Sequence, residues 1–168
     1  MSKVQAGRRA PSIPEEGAVT FLIGMRINRL WEFWKWVPVF IAMPRMLREL
    51  AKDPSLGLVG TPRTFISGRT ILVWQQWTSF EALEAYARAS DHLHVPGWRA
   101  FNRRTRGNSS VGIYHETYLL EPSTVEGMYV NTPPMGLGAA FGTHVPDRHT
   151  NTAGQRLGRP KAPAAGMD

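Results

Sequence analysis

The stretch Asp91–Arg104, DHLHVPGWRAFNRR, gathers two of the chain's five histidines, a tryptophan and a basic run around a Pro-Gly break. A neutral imidazole aimed into an apolar cavity can hold a haem iron, and an imidazole titrating near neutrality can move protons. His92 and His94 are candidates for either task. They do not clamp one metal ion together. At a helix end they point in different directions, Pro96 argues against a strand, and no set of Asp, Glu or His completes a site. The competing reading is that His94 packs and caps while His92 faces water, and the residues alone leave these readings open.

Arg26 is the second candidate. It falls on the mixed face of a strand, among Thr20, Leu22, Gly24 and Asn28. An inward guanidinium there requires a carboxylate of the protein, a haem propionate or a substrate carboxylate. Gly24 on the same face leaves room for a ligand to approach the backbone. Trp74, Trp77, Tyr114 and Tyr118 are core aromatics first. Trp74 and Tyr114, with Arg26 and His94, are the candidate cofactor contacts. His115 and Glu116 point to opposite faces of their strand, so at most one of them sees a cavity. No GxGxxG, Walker, GxSxG or HExxH motif occurs.

The elements that must position these groups follow from periodicity. AVTFLIGMRI alternates, with Val19, Phe21, Ile23, Met25 and Ile27 on one side. In WEFWKWVPVFIAMPRMLRELAKDP, Pro44 is placed to open a helix. The preceding aromatic part, Trp31–Ile41, reads as a short helix or turn that caps the core rather than a membrane-surface patch, because Pro38 opposes a long amphipathic helix. TPRTFISGRTILVWQQW is a hairpin turning at Ser67-Gly68-Arg69. TSFEALEAYARASD is a helix with Thr78 or Ser79 as N-cap. Pro96-Gly97 ends it, WRAFNRRTR starts another short helix, and SVGIYHETYLLE is the last strand.

The order is β-α-β-β-α-β, the split βαβ arrangement of an α+β, ferredoxin-like domain. Two helices cover one face of its sheet, and the other face keeps Leu, Trp and Tyr. The simplest cover for that face is a second copy, which predicts a homodimer whose two sheets enclose a cavity. The expected organisation is a flexible N-terminal arm over 1–16, the α+β domain over 17–121, an ordered Gly/Pro-rich wrap over the cavity or the dimer partner at 122–146, and a disordered tail over 147–168.

The bulk composition bounds the function. The 168 residues are 42% hydrophobic, with six Trp and seven Phe, enough for one core. No cysteine is present, which removes disulfides, thiolate metal sites and Cys nucleophiles. The opening MSKVQAGRRAPSIPEEG has no apolar signal region and no run is long enough to span a membrane, so a cytoplasmic location is expected. The net charge of +7 is scattered, with only RAFNRRTR dense, so an anionic small molecule or solubility explains it better than nucleic acid.

The segments GMRINRLWEFWKWVPVFIAMPRMLREL, SFEALEAYARASDHLHVPGWRAFNRR and GIYHETYLL, with YVNTPPMGLGAA beyond them, resemble the fumagillin-pathway-type (af470-like) monooxygenases of the dimeric α+β barrel superfamily. The likeness runs from about Gly17 to about Gly142. It implies oxygenation of a small apolar molecule. A more distant likeness is to haem-containing aldoxime dehydratases, in which a helix ends in a Ser-His-Pro-Thr-His run whose last histidine holds the iron. Ser90-Asp91-His92-Leu93-His94 is similar in frame and places His94 at the ligand position, although the first histidine, the Pro and the Thr of that run are absent. Cofactor-free relatives oxidise activated aromatic substrates with a few polar residues and a tryptophan, a role that falls here to His92 or His94 with Trp98. The resemblance therefore implies a haem-dependent oxidoreductase. A cofactor-free monooxygenase, an aldoxime-dehydratase-like lyase and a non-catalytic haem or lipophile carrier stand as the alternatives.

Overall fold

In the computed structural model, which describes residues 3–89, 99, 101, 102 and 109–159, the alternating segment forms strand β2 (Ala18–Ile27). The chain as a whole divides into two compact units, residues 18–119 and a second made of residues 1–17 with 120–168. In the first, the elements after β2 are α1 (Phe33–Lys52), a short 3-10 turn (Pro54–Leu56), β3 (Leu58–Ser67), β4 (Thr70–Trp77), α2 (Phe80–Arg88) and β5 (Val111–Leu120). The sheet order β3-β4-β2-β5 is the split βαβ arrangement. β4 runs antiparallel to both β2 and β3.

Register assigns the faces. Val19 lies opposite Trp77, Phe21 opposite Gln75, Ile23 opposite Val73 and Met25 opposite Ile71, so these residues share one side. That side meets the helices in two clusters. Val19, Trp77, Leu50 of α1, and Leu83 and Tyr86 of α2 form one. Met25, Ile27 and Val111 form the other, packed by Trp36 and Val39 of α1. Ser79 caps α2 by accepting the Ala82 N–H at 3.2 Å. The β3–β4 hairpin closes through Gly68 at φ 55, a left-handed conformation that glycine adopts without a Cβ penalty.

The expectation for Trp31–Ile41 is corrected. α1 runs through Pro38 and Pro44 as one helix of 20 residues. Each proline removes a rung of the hydrogen-bond ladder. Trp36 and Val39 before, and Leu47 and Leu50 after, hold the segment against the sheet, and tertiary packing of this kind outweighs the local loss. Nor do the leading aromatics cap the core: Trp31 is 69% exposed, and Phe33 and Trp34 are 58% exposed each.

The second unit also departs from expectation. The supposed N-terminal arm supplies β1 (Gln5–Pro11), flanked by β6 (Tyr129–Thr132) and β7 (Thr143–His144) in a three-stranded sheet. Gly7 N–H donates to Asn131 Oδ1 at 2.9 Å, and Ala10 is buried. Between β6 and β7 lies α3 (Gly136–Phe141), in which a Cβ on Gly138 would overlap the Tyr129 ring and Thr143. The region expected to be a disordered tail contains α4 (Ala153–Arg156), opened by a Thr152/Gln155 capping box. Arg8 donates to Asn151 Oδ1 at 2.7 Å, and Arg156 pairs with Glu126. These bonds are polar and join residues far apart in sequence, which is why composition alone reads the segments as loose.

Candidate functional site

Between the two core clusters the sheet and helices do not close. They leave a cavity of about 1000 Å³ inside the first unit, at the upper end of the range for small-molecule sites. Its floor is the helix-facing side of the sheet: Phe21, Ile23 and Met25 from β2, Ile71 and Val73 from β4, Ile113 from β5. α1 lines it from Val37 to Leu47, and α2 adds Phe80, Leu83 and Ala87. The walls are therefore mostly aliphatic and aromatic.

Few polar groups reach this space. His115 of β5 is the one imidazole in the lining among the described residues. Its ring lies 5.7 Å from that of Phe21, tilted by 40°, which holds the imidazole on the helix-facing side. Thr117 follows two residues on. From α2 come Glu84 and Arg88, one turn apart and ion-paired at 2.7 Å, and from α1 comes Arg45. No group of three or more His, Asp or Glu that could hold a metal ion occurs among the described residues.

The expected site residues separate. His92, His94 and Trp98 lie outside the described residues. Trp74, Tyr114 and Arg26 do share a face, but it is the side of the sheet opposite this cavity. Trp74 lies opposite Leu22, and a Cβ on Gly24 would overlap the Tyr114 ring. Arg26 is exposed and donates to Thr70 Oγ1 at 3.2 Å instead of reaching an enclosed anion. On the same face Tyr118 O–H donates to Glu116 Oε2 at 2.5 Å, which pushes the phenol above its usual value.

Sequence reasoning left His115 without a role. The signal was nonetheless present: His115 shares the parity of Ile113, and Ile113 that of the buried Val111. Glu84 and Arg88 were harder to find, because an i,i+4 ion pair on a helix ordinarily reads as a solvated face.

A family model described as "Monooxygenase af470-like" matches residues 18–137. The Aspergillus fumigatus protein "Monooxygenase af470" is 32% identical over 105 residues, 59% of this chain and 35% of the fungal protein, so the chain spans about a third of that relative's length. Among solved structures, an aldoxime dehydratase (OxdRE) in complex with butyraldoxime superposes with a TM-score of 0.63 at 17% identity, covering 80% of this chain and 40% of that one. SnoaB, a cofactor-independent oxygenase from Streptomyces nogalater, gives a TM-score of 0.44 at 13% identity, covering 61% of this chain and 91% of that one.

Proposed function

The chain belongs to the monooxygenase af470-like family, and from that premise we propose that it oxygenates a small apolar molecule held in the cavity between its sheet and its helices. The observation that carries the reading is the cavity itself: an apolar chamber with a few polar groups along its walls. Haem is the cofactor we propose, and His94 would be the residue that holds its iron, with His92 and Trp98 as the proposed catalytic partners. Ala87 and Arg88 before this segment and Phe101 after it all line the cavity. The donor set suits the group. Arg45 offers a guanidinium for a propionate, and the apolar walls suit a macrocycle. When bound, haem would supply an iron able to activate oxygen or peroxide. The protein's own part is to exclude water, orient the substrate against the β2 and β4 side chains, and offer the His115 imidazole for proton movement.

A visible absorption spectrum of the purified protein tests the cofactor. A Soret band that His94→Ala abolishes supports the assignment, and a colourless protein that fails to take up added haemin overturns it. The second reading is a cofactor-free monooxygenase, favoured by the presence of His115 in the cavity lining. Under it, His115→Leu lowers turnover of a small apolar substrate by about 10²–10⁴-fold without unfolding the chain.

We also propose that two copies pair through the face carrying Phe65, Tyr114 and Tyr118, which are 48, 41 and 49% exposed. Light scattering should then give about twice the 18.8 kDa chain mass, and a monomer at every concentration sinks the idea.

A further inference from the structure

α1 begins in a cluster of large apolar side chains that face water. Leu30 is 52% exposed, Trp31 69%, and Phe33 and Trp34 58% each. The core does not need them, because Trp36 and Val39 already fill the inward positions of this end of the helix. Yet the cluster is held in place. Phe33 and Trp34 meet edge to face at 5.2 Å, and Trp36 Nε1–H donates to Leu30 O at 3.1 Å. Glu32 ties the segment further by binding Lys35 at 3.0 Å, Arg29 at 3.5 Å and the Ser110 hydroxyl.

Charge surrounds the cluster. Arg69 donates to Asn28 O at 3.1 Å, two residues before Leu30. With Arg29 and Lys35 it brings three cations to this segment, against the carboxylate of Glu32 among the described residues. Trp34 also shares a helix stripe, at spacings of three, four and seven residues, with Val37, Pro38 and Ile41. Those three line the cavity, and Ile41 is itself 43% exposed. The aromatic cluster is thus continuous with the cavity wall.

We propose that this end of α1 docks on a membrane surface containing anionic lipid. Trp31, Phe33 and Trp34 enter the boundary between headgroups and acyl chains, and Arg29, Lys35 and Arg69 face the lipid phosphates. Docking so turns the cavity wall of Val37, Pro38 and Ile41 toward the bilayer, where apolar molecules concentrate. The charge pattern favours this occupant over a second copy, because a two-fold contact would set these three cations against their own images. Among the described residues no helix is long and apolar enough to cross a membrane, and surface docking requires none. The docking stands on the patch alone and is independent of the reaction assigned above.

The test is sedimentation of the purified full chain with vesicles of phosphatidylcholine, alone or mixed with phosphatidylglycerol. Binding to the mixed vesicles should exceed binding to the neutral ones and fall as salt is raised. The triple variant Trp31→Ser, Phe33→Ser, Trp34→Ser should lose about tenfold or more of the affinity while keeping the wild-type unfolding midpoint. Reversing charge alone, with Arg29→Glu and Arg69→Glu, should cost about tenfold and leave the aromatics intact. The proposal is overturned if the wild-type protein binds neither vesicle, or if both variants bind as the wild type does. It is equally overturned if the triple variant's only defect is a smaller oligomer in light scattering.

Discussion

Trp74 and Trp77 stand three residues apart on β4 and project to opposite faces of one sheet, and they have opposite surroundings. Trp77 is 1% exposed, packs on Tyr86 at 5.9 Å, and donates its indole N–H to Gln75 Oε1 at 2.9 Å. Trp74 is half-buried, packs on Phe65 at 6.3 Å, and has a buried indole N–H with no hydrogen-bond partner among the described residues. The helix-covered face is closed and satisfied at Trp77 and hollow a few residues along. The other face is neither closed nor satisfied by its own unit. One sheet thus supports a chamber on one side and an unfinished surface on the other, and substitutions on both faces probe the difference.

The largest effect is expected at the closed end of the covered face. Trp77→Ala removes the centre of the cluster of Val19, Leu50, Leu83 and Tyr86 and leaves Gln75 buried without its donor. Stability should fall by about 3–5 kcal/mol, measured by urea denaturation. A loss as small as that of an exposed residue would mean that the covered face is not what holds the unit together.

Tyr86→Phe comes next. It keeps the ring against Trp77 and deletes the hydroxyl that donates to Glu49 Oε2 at 2.8 Å, a hydrogen bond to a carboxylate of a kind that contributes about 1.5–3 kcal/mol. Burial first, and then the bond to Glu49, push the Tyr86 phenol well above its usual value. The folded state therefore keeps a proton that the unfolded state releases near the ordinary phenol value of about 10. The stabilisation is fully present below that pH and is lost as pH rises toward the folded value. The wild-type unfolding free energy should decline through this alkaline window, and Tyr86→Phe should decline less. Parallel curves would show that Tyr86 is not the group responsible.

These two substitutions address what the sequence already exposed. Alternation in AVTFLIGMRI and TILVWQQW separates the two faces, and the Ser79 cap and the Gly68 turn fix where α2 and the hairpin lie. Alternation does not say which face is hollow. That depends on how far the α1 and α2 side chains fall short of the sheet between Leu47 and Val39, a matter of volumes in three dimensions. Arg26, Trp74 and Tyr114 share one face, but the cavity opens on the face of Phe21 and His115. β1 was hidden for another reason: its partners lie more than a hundred residues away, as Gly7 and Asn131 show, and QAGRRAP carries no apolar alternation to announce a strand. The continuity of α1 through Pro38 and Pro44 was equally hidden, because it depends on packing at both ends.

The hollow face and the open face meet at Gly24, whose backbone lines the cavity while its missing side chain makes room for Tyr114. Gly24→Ala should cost about 1–3 kcal/mol, because the ring must move aside. Combining it with Tyr114→Ala should recover most of that loss, and the coupling energy measures how firmly the ring is held. Strict additivity in this double-mutant cycle would show that Tyr114 does not rest on Gly24.

The smallest change in stability is expected at Trp74, where it is also the most informative. Trp74→Phe gives up some ring area but deletes a buried N–H that has no acceptor within its unit. A desolvated and unpaired donor costs about 1–3 kcal/mol, so the two terms should nearly cancel, leaving a net change within about 1 kcal/mol. The same substitution at Trp77 loses ring area and a satisfied bond together, leaving Gln75 unpaired, and should be distinctly worse. Measuring both at several protein concentrations separates the folding of one chain from its pairing. If Trp74→Phe is as costly as Trp77→Phe at high concentration and harmless on dilution, the Trp74 N–H finds its acceptor on a second copy. If it is costly at every concentration, an acceptor within the chain satisfies it, and the contrast between the two faces is lost at the residue that defines it.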